Sequence, residues 1–462
     1  MSMLLSKKFK ETNLDKDLPK FWTLVKNILK ISIPAALETL LIGIIGLIDT
    51  MMVGGVGVNA LAAVSICQQP VFVTLAASVG INVGITTIIA RRKGEGKELD
   101  AKRTMKQAVY LSGLIGLILT IASIVFAKPF LFLAGADSDT IDYALQYFKV
   151  VSSVLTFNYI RLAICAGFRA IGRTKLTLIV NVLANIINLI LNYCFINGNF
   201  GFPKLEVCGA AIATAISNFI AFLICIVIIY TSNGFLNIRI NEEKLFSKDI
   251  INTLIKFSIP AFIEQCFMRF VFFMIGIIVN HLGSEVVAMN AIISGIISLA
   301  FNVTDGFATG ASALVGNGLG EKKYAIVFAY ARLSQIMSFI LGILMIAFIL
   351  TFRVFVCELF TRDLSVIEGA NSTLRIAVFV ILPQSLQWVT TGALRGAGDV
   401  KFTARTSMLS VAIIRPLFSY MLCYPLGLGL LGSWIGMFID QTIRFIINNA
   451  RLNNIKWIKI SV

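Results

Sequence analysis

Residues 32–54 read SIPAALETLLIGIIGLIDTMMVG, and residues 258–280 read SIPAFIEQCFMRFVFFMIGIIVN. Both open on Ser-Ile-Pro-Ala, both place a glutamate at the seventh position (Glu38 and Glu264), and both continue into an apolar run. Crossing a hydrocarbon core takes roughly 20 predominantly apolar residues, and with the residues before them both stretches reach that length. One ungapped offset of 226 residues relates the two stretches. The same offset carries Gly80 and Gly84 onto Gly306 and Gly310, and Gly94-Glu95 onto Gly320-Glu321. It also carries Arg169, Gly172 and Lys175 onto Arg395, Gly398 and Lys401. Self-similarity over this distance is a duplication, with a period too long for a stacked solenoid.

Working outward from the pair, twelve apolar stretches read as helices: 28–53, 59–90, 105–127, 141–168, 175–197 and 208–231, then 251–280, 286–316, 325–351, 368–394, 402–424 and 429–450. Six spans per copy is an even number, so both copies enter the membrane from the same side. The expected fold is therefore an all-α polytopic membrane protein with twelve transmembrane helices in two six-helix lobes related by a parallel internal repeat. The expected division is a cytoplasmic N-terminal segment at 1–27, an N-lobe at 28–231, a polar cytoplasmic linker at 232–250, a C-lobe at 251–450 and a cytoplasmic tail at 451–462.

Composition agrees with this reading. A water-soluble domain carries about 25% charged residues, whereas this chain has 14%, with 57% hydrophobic residues and a mean hydropathy of +0.87. The net charge of +16 would suit nucleic acid, but its placement does not. The bases gather in alternate loops: Lys7, Lys8, Lys10, Lys16 and Lys20; the run from Arg91 to Arg103; Arg169, Arg173 and Lys175; Arg239, Lys244 and Lys248; Lys322 and Lys323; Arg395 and Lys401; and Arg451, Lys456 and Lys459. The intervening loops at 54–59 and 424–432 have none. Excess Lys and Arg marks the cytoplasmic side, which puts both termini there, in a multi-pass protein of the plasma membrane. No secretory signal is expected ahead of the first span. The eight cysteines contain no C-x-x-C pair and the chain has one histidine, so neither a disulfide framework nor a metal centre is expected. No P-loop, Gly-x-Ser-x-Gly or zinc-type histidine pair occurs, and the chain is not expected to be an enzyme.

Ionisable groups inside spans are costly and mark functional sites by default. Asp49 stands near the end of the first span, beside a loop with no basic partner. It is either an interfacial acid wetted by that loop or a protonatable, cation-binding group. On the fifth span Asn181, Asn185, Asn188 and Asn192 recur at four, three and four residues and share one face. Such a stripe serves as glue between helices, or, with a carboxylate and a hydroxyl such as Thr214, as a hard-oxygen site for a proton or Na⁺. Glu38 and Glu264 fit a symmetric structural role as well as coupling. Asp305 has Val79 as its repeat counterpart, an asymmetry compatible with function or with wetting a cavity. Asp440 and Arg444 are spaced to pair on one helix face, and with Arg415 they read as mostly structural. Small-xxx-small spacing at Gly80/Gly84 and Gly306/Gly310 suits close helix contact.

These residues together resemble the multidrug and toxic compound extrusion (MATE) family over nearly the full chain. Pro34 through Asp49-Thr50 and Val53-Gly54 is similar to that family's opening helix. GFRAIGRTK at 167–175 and ALRGAGDVK at 393–401 are similar to its twin turns, and GSWIGMFIDQTIRF at 432–445 to its last span. The resemblance implies a two-lobed antiporter, without cofactors and without nucleic-acid partners, that exports small organic cations or other xenobiotics by alternating access in exchange for H⁺ or Na⁺. It implies a cation site at Asp49, Asn188, Asn192 and Thr214, with Na⁺ at Asp49 as the sole candidate metal. Asn192 stands where some members have Asp. Glu264 matches an acid used in a C-lobe site, whose partner on the tenth span is replaced by Gln384. Glu264, Asp305 and Gln384 thus form the expected second polar site. The lipid bilayer is the expected surrounding and a monomer the expected state. The alternatives are a lipid-linked oligosaccharide flippase of the same architecture, which should carry more bases in its cavity than Arg161 and Arg415, and a sensor or channel without coupled exchange.

Overall fold

The computed structural model describes residues 19–231, 234–238, 247–361, 363–454, 456–460 and 462. Lys7, Lys8, Lys10, Lys16, Arg239 and Lys244, with the linker from 239 to 246, lie outside the described residues. In chain order the helices are α1 Phe21–Gly54, α2 Val58–Gly94, α3 Glu98–Val125, the short α4 Ala127–Leu133, α5 Ile141–Ser153, α6 Leu155–Ala170, α7 Thr174–Asn197 and α8 Glu206–Thr231. They continue as α9 Lys248–Asn280, α10 Ser284–Gly320, α11 Tyr324–Glu358, α12 Leu364–Ala377, α13 Ile381–Gly396, α14 Val400–Leu409, α15 Arg415–Cys423 and α16 Gly429–Asn453. No strand occurs among the described residues. Among the described residues eleven helical segments are long and apolar enough to cross a membrane, with α12–α13 (Leu364–Gly396) and α14–α15 (Val400–Cys423) each one continuous segment, and the pair α5 and α6, bent by 49° at Val154, makes a twelfth. The protein is an all-α polytopic membrane protein with the twelve spans its sequence predicts.

On several helices small and polar residues face the interior while large apolar ones face outward. On α3 the buried positions include Ser112, Gly116, Thr120 and Ser123, whereas Leu114, Leu117, Ile118, Ile121 and Val125 are exposed. On α11 Ser334, Gln335, Ser338 and Gly342 are buried, while Ile336, Phe339, Ile340, Ile343 and Leu344 face outward. Lipid gives apolar side chains no reason to hide, so contacts between helices go to residues that permit close approach or hydrogen bonding. Thr120 and Thr156 show the second kind, with hydroxyls 3.0 Å apart between α3 and α6.

By packing, the chain forms two compact units: residues up to Leu40 with Ile263–Val462, and Leu41–Phe262. The division expected from sequence order, 28–231 and 251–450, differs because α1 and α9 each change unit partway. The repeated small residues explain this. A Cβ on Gly80 would lie 2.8 Å from Ser258 O, and one on Gly84 would lie 2.6 Å from Ser258 Oγ, so α2 packs on the first half of α9. In the other unit Gly306 and Gly310 of α10 meet Ala36 and Ser32 of α1 with equally little room. Leu24, Ile28 and Ile31 complete that contact in a cluster with Leu314, Ala329 and Leu333, and Asn27 Nδ2 donates to the Tyr330 hydroxyl at 2.8 Å. Each Ser-Ile-Pro-Ala segment therefore packs against the second helix of the opposite sequence half.

The repeat extends to local geometry. Gly172 (φ 78°) and Gly398 (φ 91°) both take the left-handed conformation after α6 and α13. Their amides donate to Arg169 O and Arg395 O at 2.9 Å, closing the helix ends in the same way. Asp137 and Asp363, also related by the offset, both turn their carboxylates onto local amides, Asp137 to Asp139 N and Thr140 N and Asp363 to Ser365 N. The break at Val154 has its counterpart in the 3₁₀ turn Val378–Val380 between α12 and α13.

Candidate functional site

In the Leu41–Phe262 unit α1 carries Asp49 near its end, α7 carries the asparagine stripe and α8 carries Thr214. The structure brings the four predicted cation-site residues together. Asn192 Nδ2 donates to Asp49 Oδ1 at 2.7 Å and to Asn188 Oδ1 at 3.2 Å, and Asn188 Nδ2 donates to Thr214 Oγ1 at 3.3 Å. Asn188 and Asn192 are buried. No basic side chain hydrogen-bonds or ion-pairs with Asp49 among the described residues, so its charge meets amides instead.

Two features give this cluster chemical capacity. The Asn188 amide lies against both carboxylate oxygens of Asp49 at 3.0–3.1 Å. With the amide turned over, Asn188 Nδ2 donates to Asp49 Oδ2 at 3.0 Å and its carbonyl accepts from Thr214 N at 3.3 Å. Asn192 Oδ1 has no hydrogen-bond partner among the described residues and offers a further acceptor. Carboxylate, amide carbonyl and hydroxyl oxygens are the donor set for H⁺ or a hard monovalent cation.

The rest of the stripe goes elsewhere. Asn181 accepts from Arg161 of α6, whose Nη2 also donates to Asn158 Oδ1 at 2.8 Å, so this end of the face is glue. A neighbour the sequence did not reveal is Tyr147 of α5, within electrostatic reach of Asp49. It comes from a helix with no pattern linking it to the site.

The predicted second polar site is arranged differently from its expectation. Glu264, buried on α9, pairs with Arg395 of α13 at 2.5 Å. Gln384 is also buried, but no hydrogen bond joins it to Glu264, and its Oε1 has no partner among the described residues. Asp305 stands on α10, partly buried. The unit's polar interior is instead a ladder through α11, α13 and α16. Gln335 Nε2 donates to Thr390 Oγ1 at 2.6 Å, and Gln387 Nε2 and Asn448 Nδ2 both donate to Thr391 Oγ1 at 3.0 Å. Sequence reasoning missed these residues, although Gln387 and Thr391, and likewise Arg444 and Asn448, stand at helical spacing.

Comparison with known proteins follows the same lines. The MatE family profile matches residues 34–194 and 260–421, one match per sequence half. A protein of Bacillus licheniformis described as "Probable multidrug resistance protein NorM" is 27% identical over 416 residues, 89% of this chain and 91% of its own length. A protein of Thermotoga maritima with the same description is 27% identical over 440 residues, 95% of this chain and 94% of its own. The structure of an outward-facing multidrug resistance MATE family transporter of the MOP superfamily superimposes with a TM-score of 0.87 at 22% identity, covering 96% of this chain and all of that one. A MOP superfamily transporter from Pyrococcus furiosus, described as having a binding pocket of reversed polarity, superimposes with a TM-score of 0.88 at 23% identity over the same share. The likeness of fold extends over nearly the whole chain, and the family profile covers most of both halves: the chain belongs to the MATE family of membrane transporters.

Proposed function

We propose that the protein is a secondary active exporter of small organic cations and other xenobiotics, driven by inward movement of H⁺ or Na⁺ through the Asp49 cluster. The observation that carries this reading is a carboxylate packed against buried amides with no basic partner among the described residues. A guanidinium or ammonium beside Asp49 would hold it as a permanent ion pair, whereas amides leave it able to exchange one cation for another. The relatives' descriptions as multidrug resistance proteins support the cargo class.

Ion exchange at Asp49 biases alternating access only if the two conformations differ in affinity for the ion. A proton moving inward supplies about 2.3 kcal/mol per 100 mV and about 1.4 kcal/mol per pH unit. One-for-one exchange against a monovalent cation cancels the voltage and leaves the concentration gradient.

The loops rich in Lys and Arg support an orientation with both termini in the cytoplasm, in the plasma membrane, and the protein acts as a monomer without a cofactor. The test is ethidium efflux from proteoliposomes with Na⁺ and pH gradients imposed independently. Export driven by either gradient and lost in Asp49→Asn is expected. Export that ignores both gradients would reject coupling and return the choice to a lipid-linked oligosaccharide flippase or a channel.

A further inference from the structure

The Ile263–Val462 part of the chain contains a second buried charge cluster, which the proposed cation exchange does not use. Arg415 is 6% exposed, Arg444 2% and Asp440 0%. Asp440 is fully engaged: its Oδ2 accepts from Arg444 Nη2 at 2.7 Å and its Oδ1 from Ser410 Oγ at 2.6 Å. Arg415 therefore has no hydrogen-bonded carboxylate among the described residues. Its guanidinium stacks 4.8 Å from the Phe272 ring centre and Nη2 donates to Met437 Sδ at 3.5 Å. The Nε–H groups of both Arg415 and Arg444 have no partner among the described residues. Arg415 is within electrostatic reach of Asp440 and Arg444, so the cluster holds two positive charges against one negative. A guanidinium does not shed its proton, so the excess charge persists.

The backbone is shaped around this cluster. Ser410–Ile414 form a π turn between α14 and α15, with Arg415 immediately after it. In an α-helix residues five apart point about 140° away from one another. A single i→i+5 turn returns them to nearly the same side, and such turns occur mostly at functional sites. Here the turn lets Ser410 and Arg415 both face α16, the first at Asp440 and the second at Met437, one turn earlier.

We infer that Arg415 and Arg444 form a site for one small monovalent anion, a halide or a short carboxylate, which takes Arg415 Nε–H as a donor and neutralises the surplus charge. Buried charges that lack a counter-ion are strongly destabilising, and the unused donors are of the kind that recognises halide and carboxylate.

The test is thermal unfolding of the purified full-length protein at constant ionic strength, with gluconate, too bulky for a buried site, replaced stepwise by chloride, bromide or acetate. A saturable rise in the midpoint on the order of 2–4 °C is expected for a ligand that binds only the folded state. A rise with the halides alone identifies an inorganic ion, and a rise that includes acetate extends the site to carboxylates. Arg415→Met and Arg415→Lys, the second keeping the charge without Nε–H, should lose the response while Lys323→Gln keeps it. A wild-type midpoint indifferent to all three anions overturns the inference whether or not the variants fold. An unchanged response in Arg415→Lys also overturns it.

Discussion

The two sequence halves share a scaffold and differ in what they hold inside it. The offset that superimposes the Ser-Ile-Pro-Ala segments, the packing glycines and the capping aspartates carries Asp49 onto Ile275, Asn188 onto Ile414 and Asn192 onto Phe418. Ile275 lies in an apolar cluster with Val271 and Val279. Every polar member of the N-half cluster on α1 and α7 thus has an apolar counterpart. The C-half has its own polar centre, built on Asp440, Arg444, Ser410 and Arg415. The Asp49 cluster sets an acid among amides with no basic partner among the described residues, and the Asp440 cluster sets two guanidiniums against one carboxylate. After duplication, helix packing and loop capping were kept in both copies, while the ionisable interior diverged.

The largest effect that would break this contrast is at Asp49. Asp49→Asn should lower gradient-driven export by on the order of 100-fold while leaving helical content and solubility in detergent unchanged. Adding Ile275→Asp should not restore transport, and recovery in the double variant would mean that the halves are interchangeable. Next is the C-half pair. Arg444→Met leaves Asp440 buried without its ion-pair partner and should cost about 3–5 kcal/mol in equilibrium unfolding, most of it recovered in Asp440→Leu/Arg444→Met. If the double variant is no more stable than the single, the pair is not the reason for the loss.

Smaller effects test the shared scaffold. Gly84→Leu and Gly310→Leu, repeat counterparts at the two tight crossings, should each destabilise by roughly 1–3 kcal/mol through overpacking. Indifference at one site with loss at the other would show that the crossings are not equivalent. The smallest effects are at Asp137 and Asp363. Hydrogen bonds from Thr140 hold the Asp137 carboxyl below the usual carboxylate range, and those from the Ser365 hydroxyl and amide do the same for Asp363. Each contribution is complete above the ordinary carboxylate value, roughly 4, and disappears as pH falls through the lowered one. Asp137→Ala and Asp363→Ala should therefore weaken the protein slightly at neutral pH and match the wild type in strong acid. A difference that grows on acidification would contradict the capping role.

The spans were legible because long apolar windows leave no other reading, and the repeat because packing glycines and turn residues recur at one offset. The spacing on α7 predicted that its asparagines share a face, but not that Asn181 turns to Arg161 while Asn188 and Asn192 turn to Asp49. That outcome depends on α6 and α1, which the stripe does not encode. The second polar site shows the same limit, since Glu264 went to Arg395, a residue noted as a loop base and repeat landmark, and not to Gln384. The Asp440–Arg444 pair followed from i,i+4 spacing, whereas the π turn that brings Ser410 to it has no signature in SVAII. The unit boundary inside α1 and α9 was also hidden, because helix continuity masks a change of packing partner.

That change of partner has a consequence for how the protein is made. Synthesis runs from the amino end, so the Ser32–Ala36 face of the first helix is finished before the glycines at 306 and 310 exist. It must wait in the bilayer, uncovered, while most of the chain is translated and inserted. An amino-terminal fragment ending at residue 231 keeps the glycines of α2 but lacks the Leu254–Phe262 stretch that covers them, and its own first helix lacks a seat. Severing the two halves therefore leaves two incomplete bodies, and final assembly is a late event that requires both.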